Sequence, residues 1–363
     1  MQSGKRQPER RLTVFLIINA FEFYILTGLV RIVKHDYSRM KIITYENIEA
    51  AAACLRNGGL VAFPTETVYG LGANALDPMA VARIFEAKKR PAFDPLIVHI
   101  SDISQLDSLY AQPVDPLVYN LAEKFMPGPL TIVHRKSDIV PGLVTSDMDT
   151  VAVRMPAHPL AQKLIALAGV PVAAPSANLF GQLSPTSHKH VAKQGMEIDY
   201  LLAGDDKENM VGIESTVVMV ASGVCTILRP GVITAADIES AIPGLKVEVA
   251  QHNVNLSSPG LLDSHYSPRK PLYFTENLDL SALPEGSGLI LHEKNGLNTN
   301  AVSVVYTSEN LNLLEVAAHI FESLHQMEDN DAVKQIFIAK VPEKGVGLSV
   351  MDRLKKATYQ YKK

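Results

Sequence analysis

Four apolar runs in this chain end in loops of hydroxyls, prolines and small residues: VAFPTETVYG (residues 61–70), VAAPSAN (172–178), GIESTVV (212–218) and ILRPG (227–231). In an open α/β sheet, strand ends deliver such loops into one crevice, and ligands bind there. Hydroxyls and exposed backbone N–H groups suit carboxylate and phosphate oxygens. Any one of these loops alone reads as a turn; four in one domain argue for a shared site. A second signal is EAKKRP at 86–91. Basic residues at a helix end ordinarily complement its dipole and face water. Lys88 and Arg90 do not share a helix face, yet once the helix stops before Pro91 both can turn toward one anion. Arg154 and Arg229, each just ahead of a proline at a strand end, add two cations suited to bidentate capture of carboxylate or phosphate. His99, inside LIVHI, reads equally as a core histidine or a site residue.

Other chemistries are excluded by pattern. Neither GxxxxGK[ST] nor GxGxxG occurs, so a bound nucleotide uses neither the Walker nor the Rossmann cradle. No His, Cys or carboxylate cluster has metal-site spacing. Cys54 and Cys225 stand far apart and read as reduced thiols. The chain has 363 residues, 47% hydrophobic and 20% charged, with a formal net charge of -4. That length suggests two domains, and the acidic balance speaks against a protein that coats nucleic acid.

The elements that must position these loops alternate from Met40 onward. KIITY, LVAF, LIVHI, TIVHR and TVAVRMP read as strands. NIEAAAACLRNG reads as a helix capped by Asn47, and residues 78–88 read as a helix with Met79, Val81, Ile84 and Phe85 as its apolar stripe. VYNLAEKFM and PLAQKLIALAG are further helices. The expectation is an α/β fold with a sheet of mixed direction over residues 40–235. A turn-rich linker spans 236–271, too polar from about Lys246 for an element. A smaller α/β unit follows over 272–363, ending in GVGLSVMDRLKKA.

The amino end is different. Residues 1–11 are basic, and LTVFLIINAFEFYILTGLV (12–30) is apolar apart from Glu22. A membrane anchor or signal segment has this composition, but no small-residue cleavage pattern follows. The reading preferred here is that Met40 opens the fold and residues 1–39 lie outside it, with an added N-terminal helix as the alternative.

Taken in order, PTETVYGLG, IFEAKKRP with PLIVHI, MPGPLTIV, VAVRMP, APSAN with SPT eight residues on, GIESTVV, ILRPG and SPGLLDSHYSP resemble the YrdC-like family. The match is to its long two-domain form, the threonylcarbamoyl-AMP synthases, and covers Met40 to the C-terminus. Each motif is weak singly; the ordered set is specific. The resemblance implies a twisted mixed sheet with helices around a concave crevice, and a small Rossmann-like C-terminal domain. It implies a cytoplasmic nucleotidyltransferase that makes threonylcarbamoyl-adenylate and pyrophosphate from L-threonine, bicarbonate and ATP. The product passes to the machinery that makes N6-threonylcarbamoyladenosine in tRNA, with at most weak tRNA contact and no stable membrane partner. It also implies a threonine pocket of Thr67, His99, Arg154, the backbone at Ala174, and Ser215. The ATP side would use Lys88, Arg90, Asp94, Thr150, Ser176, Asn178, Ser184 and Arg229, with His265 and Tyr266 closing over the nucleotide. Lys88, Arg90 and Mg²⁺ would act by positioning and charge.

Two positions depart from the family pattern. Asp94 stands where many members have Asn, and its carboxylate would repel a triphosphate unless it meets a metal or a cation. The linker LLDSHYSP is less basic than is usual. Two rivals carry different predictions. A non-enzymatic double-stranded RNA or tRNA-binding module would need a basic concavity, against which the net charge counts. A carbamoyl-transferring relative acting on a maturation protein would carry acylphosphatase and zinc-finger segments, and this chain has neither.

Overall fold

The computed structural model describes residues 22–26, 29–33, 40–204, 211–250, 266–294 and 296–361, the first two as backbone only. Glu22–Leu26 and Leu29–Val33 pair as an antiparallel ribbon, so these ten residues are strand and not the alternative helix. They belong to a unit of their own, residues 1–38, separate from residues 39–363.

The larger unit holds two sheets. The first has eleven strands, in the order Val247–Val249, Val224–Arg229, Thr216–Ala221, Leu130–Arg135, Thr150–Arg154, Ile97–His99, Val172–Ala173, Gly70–Asn74, Val61–Phe63, Tyr200–Leu202 and Lys41–Ile43. Its direction is mixed: Ile97–His99 runs parallel to Thr150–Arg154, which runs antiparallel to Leu130–Arg135. The edge strand Val247–Val249 lies inside the expected linker. It is short and exposed, and gains its place from pairing beside Cys225–Ile227 rather than from apolar pattern.

Local chemistry sets the helix ends. Asp77 accepts a hydrogen bond from Met79 N at 2.9 Å and starts Pro78–Lys88 with proline in its first turn. Lys89, in the left-handed region at φ 52°, ends it. The buried face is Ala80, Val81, Ile84, Phe85 and Lys88; Met79, expected in the stripe, is half exposed. Asn47 precedes Ile48–Arg56 as expected, but its side chain makes no cap bond.

The second sheet is fully parallel, ordered Leu272–Phe274, Gln335–Ile338, Ser287–Leu291 and Ser303–Tyr306. Helices Leu313–Asp329 and Val346–Thr358 pack on it. One apolar cluster joins these helices to the first domain: Val68, Leu183 and Ile213 pack with Tyr266, Ile320, Phe321 and Val350. Gly212 makes the approach possible. Its φ is +76°, and a Cβ there would sit 2.3 Å from the Ala318 carbonyl oxygen. Among the described residues no helix is long and apolar enough to cross a membrane.

Candidate active site

The strand ends meet as the sequence pattern requires. His99 and Arg154 are register partners on neighbouring parallel strands, so both stand at the same rim. Val217 is opposite Arg229 on the antiparallel pair beyond, which brings Ser215 and Arg229 to that rim as well. Gly70 bridges Ser176, tying the PTET loop to the APSAN loop. Between them lies a crevice with about 560 Å³ of empty space, lined among others by Thr67, Arg90, His99, Arg154, Ser215 and Arg229.

All five residues expected around the amino acid line this crevice: Thr67, His99, Arg154, Ala174 and Ser215. Arg154 is 3% exposed. Its Nε donates to Gly128 O at 3.2 Å and its Nη1 to Thr67 Oγ1 at 2.9 Å. Its Nη2 lies 2.7 Å from Glu66 Oε1, an ion pair between two buried side chains. His99, 3% exposed, stands beside Arg154. Burial, and then the charge of Arg154, pull His99 down to about 3, so the ring is neutral. Ser215 Oγ shares a hydrogen bond with Thr131 Oγ1 at 2.8 Å and receives Arg229 Nη2 at 3.2 Å.

The residues expected around ATP divide. Arg90, Ser176, Arg229 and Tyr266 line the crevice. Asp94 meets the cation that its position demanded: its carboxylate lies 2.8 Å from Arg90 Nη2. Burial pushes the Asp94 carboxyl up, and Arg90, Lys88 and Arg229 oppose that shift. Of the remaining residues of this set, those that are described do not line the crevice. Lys88 is fully buried, and its ammonium donates to the carbonyls of Ser176 and Asn178 rather than facing the cavity. Burial, and then Arg90, pull it well below the ordinary lysine range. It clamps the end of its helix to the APSAN loop. Asn178 sits behind that loop, donating to the Leu179 and Gln182 carbonyls. Ser184 is buried against Glu214 at 2.6 Å. Thr150 opens the strand whose far end carries Arg154, roughly 13 Å away at a rise of about 3.3 Å per residue. His265 lies outside the described residues.

Three site residues carry no sequence signal strong enough to find them. Glu66 is 3% exposed beside Arg154; the need of a buried guanidinium for a counter-charge is what points to it. Glu214 lines the crevice, and Arg353 reaches it from the C-terminal domain. Among the described residues no three of His, Cys, Asp and Glu gather as a metal cage. The carboxylates of Asp94, Glu66 and Glu214 each lie against a guanidinium. The chain's own residues therefore do not fit a resident Mg²⁺.

Comparison with known proteins agrees with this geometry. Residues 53–231 match the family model described as telomere recombination, the Sua5–YciO–YrdC group. Residues 233–358 match the model for the threonylcarbamoyl-AMP synthase C-terminal domain. The threonylcarbamoyl-AMP synthase of Pyrococcus abyssi is 42% identical over 86% of this chain and 94% of its own length. That of Bacillus subtilis is 41% identical over 85% and 92%. A crystal structure of P. abyssi Sua5 complexed with L-threonine superposes with a TM-score of 0.76 at 37% identity, covering 88% of this chain and 98% of that one. With relatives matched over nearly their whole length and both domain models in order, this chain belongs to the threonylcarbamoyl-AMP synthase family, in its two-domain form.

Proposed function

We propose that the crevice joins L-threonine, bicarbonate and ATP into threonylcarbamoyl-adenylate and pyrophosphate, a nucleotidyl transfer. The observation that carries this reading is the convergence of three buried guanidinium groups, those of Arg154, Arg90 and Arg229, with His99 on the lining of one crevice. Guanidinium groups gathered in this way suit a ligand rich in carboxylate and phosphate oxygens. Arg154 would take the threonine carboxylate. Neutral His99 can face the amino acid without repelling its ammonium group. Arg90 and Arg229 would hold the phosphates.

The threonine ammonium gives one proton to solvent. The free amine then attacks bicarbonate, forming a C–N bond, and a second nitrogen proton leaves with the bicarbonate hydroxyl as water, which leaves a carbamate. A carbamate oxygen then attacks the α-phosphorus and pyrophosphate leaves. Neither step needs a proton from a side chain at the phosphorus, so the chain's residues act by placing the oxygens and stabilising charge. A magnesium ion carried on ATP belongs to the substrate, and no step is assigned to it. The product would then pass to the tRNA-modifying machinery. The test is purified protein with ATP, bicarbonate and labelled threonine, followed for pyrophosphate. Threonine-dependent release is expected; its absence refutes the reading.

A further inference from the structure

Helix Val346–Thr358 belongs to the C-terminal domain, yet its Arg353 is wholly buried at the back of the crevice. Its Nε donates to Glu214 Oε2 at 3.1 Å and its Nη2 to Glu214 O at 3.4 Å. Its Nη1 donates to Pro230 O at 2.5 Å and to Asp352 Oδ2 at 3.1 Å. The guanidinium lies 5.9 Å from the centre of the Tyr266 ring, which also packs on Phe321 at 5.5 Å. Ser184 Oγ takes the other Glu214 oxygen. On the same helix, Ser349 donates to Gly231 O at 2.6 Å.

Burying a guanidinium is costly, and an apolar side chain of similar volume would commonly stabilise the contact as well. What the fork adds is geometry. It fixes Glu214 and Pro230 together, at the same end of the antiparallel pair, the end that carries Ser215 and Arg229. It also backs Tyr266, which holds a left-handed φ of 62° against the cavity.

We propose that Arg353 is a positioning residue for the nucleotide wall: from the second domain it sets Arg229, through Pro230, and the ring of Tyr266. This rests on the assignment of ATP to that wall. Lysine keeps the charge but has no planar fork to satisfy Glu214 and Pro230 at once.

The test uses the full chain, with ATP and threonine titrated separately by calorimetry. In Arg353→Lys, ATP should weaken about tenfold and threonine by less than about twofold. Arg353→Met leaves Glu214 buried and unpaired, and should melt early. In Glu214→Gln/Arg353→Met no charge is left unpaired, so melting should return toward wild type while ATP stays weak. Wild-type ATP affinity in Arg353→Lys, equal weakening of both ligands, or ATP affinity that returns together with melting temperature would each overturn the proposal. A wild-type chain that binds neither ligand overturns the proposed reaction and this assignment together, whereas the other outcomes leave the reaction standing.

Discussion

Arg154 is held by three neighbours, and this changes what an alanine there should do. Thr67, Gly128 and Glu66 surround its guanidinium, and both Arg154 and Glu66 are buried. Arg154→Ala therefore does more than remove a threonine ligand. It leaves the Glu66 carboxylate buried without its cation, which typically costs about 3–5 kcal/mol. At roughly 2–4 °C per kcal/mol for a domain of this size, melting should fall by about 6–20 °C. Removing the stranded charge as well, in Glu66→Gln/Arg154→Ala, should recover about half of that loss or more. Threonine affinity should not recover, because the carboxylate partner is still missing; a loss of ~2–4 kcal/mol, or roughly 30- to 1000-fold, is expected in both variants. Thermal melts and threonine calorimetry on the same preparations separate the two effects. A double variant that melts as early as the single one would refute the Glu66 pairing. Wild-type threonine affinity in either would refute the role of Arg154.

Three further outcomes follow from the site and the chain's amino end. Arg90→Ala should weaken ATP far more than threonine, whereas Asp94→Asn, by freeing the charge of Arg90, should tighten ATP several-fold; weaker ATP in Asp94→Asn, read by calorimetry, would mean that the carboxylate orients Arg90. His99 has a folded value near 3 against an ordinary 6.5, so its neutral burial contributes stability that is complete above pH 6.5 and is lost as pH falls toward 3. At about 1.4 kcal/mol per pH unit the loss is ~2 kcal/mol by pH 5, and His99→Gln should lose that share of the pH dependence of melting; identical dependence in both chains would refute it. A chain begun at Met40 should fold and keep full pyrophosphate release, since residues 39–363 form their own unit; aggregation of that chain would show that residues 1–39 support the fold.

Much of the crevice is legible in the sequence because its parts are strand ends. An apolar run that breaks into Pro, Thr and Ser marks the point where a strand leaves its sheet, and four such points bring Thr67, Ala174, Ser215 and Arg229 to one rim. Less legible is the direction in which a basic side chain turns. Lys88 and Arg90 look alike in EAKKRP, but the left-handed residue between them sends Lys88 inward to carbonyls and Arg90 toward the cavity. The same limit hides Arg353. In DRLKKA it reads as one of three cations on a helix, and only the packing of a second domain shows that it is buried. Thr150 stands apart from Arg154 for a simpler reason, since sequence proximity along a strand is distance in space. The strand Val247–Val249 escapes a reading by pattern because three residues borrow their order from the neighbour they pair with.

The cluster that joins Val68 and Ile213 to the C-terminal helices has a consequence for how the protein comes into being on the ribosome. Synthesis runs from the amino end, and domains commonly begin to fold as they emerge. The large sheet can assemble early, but the wall of its crevice waits for residues 346–358, which follow every strand of that sheet in the chain. Until then Val68 and Ile213 lack their cover and Glu214 lacks its cation. A nascent or prematurely ended chain would thus hold a formed sheet and an unfinished crevice until residues 346–358 have been made.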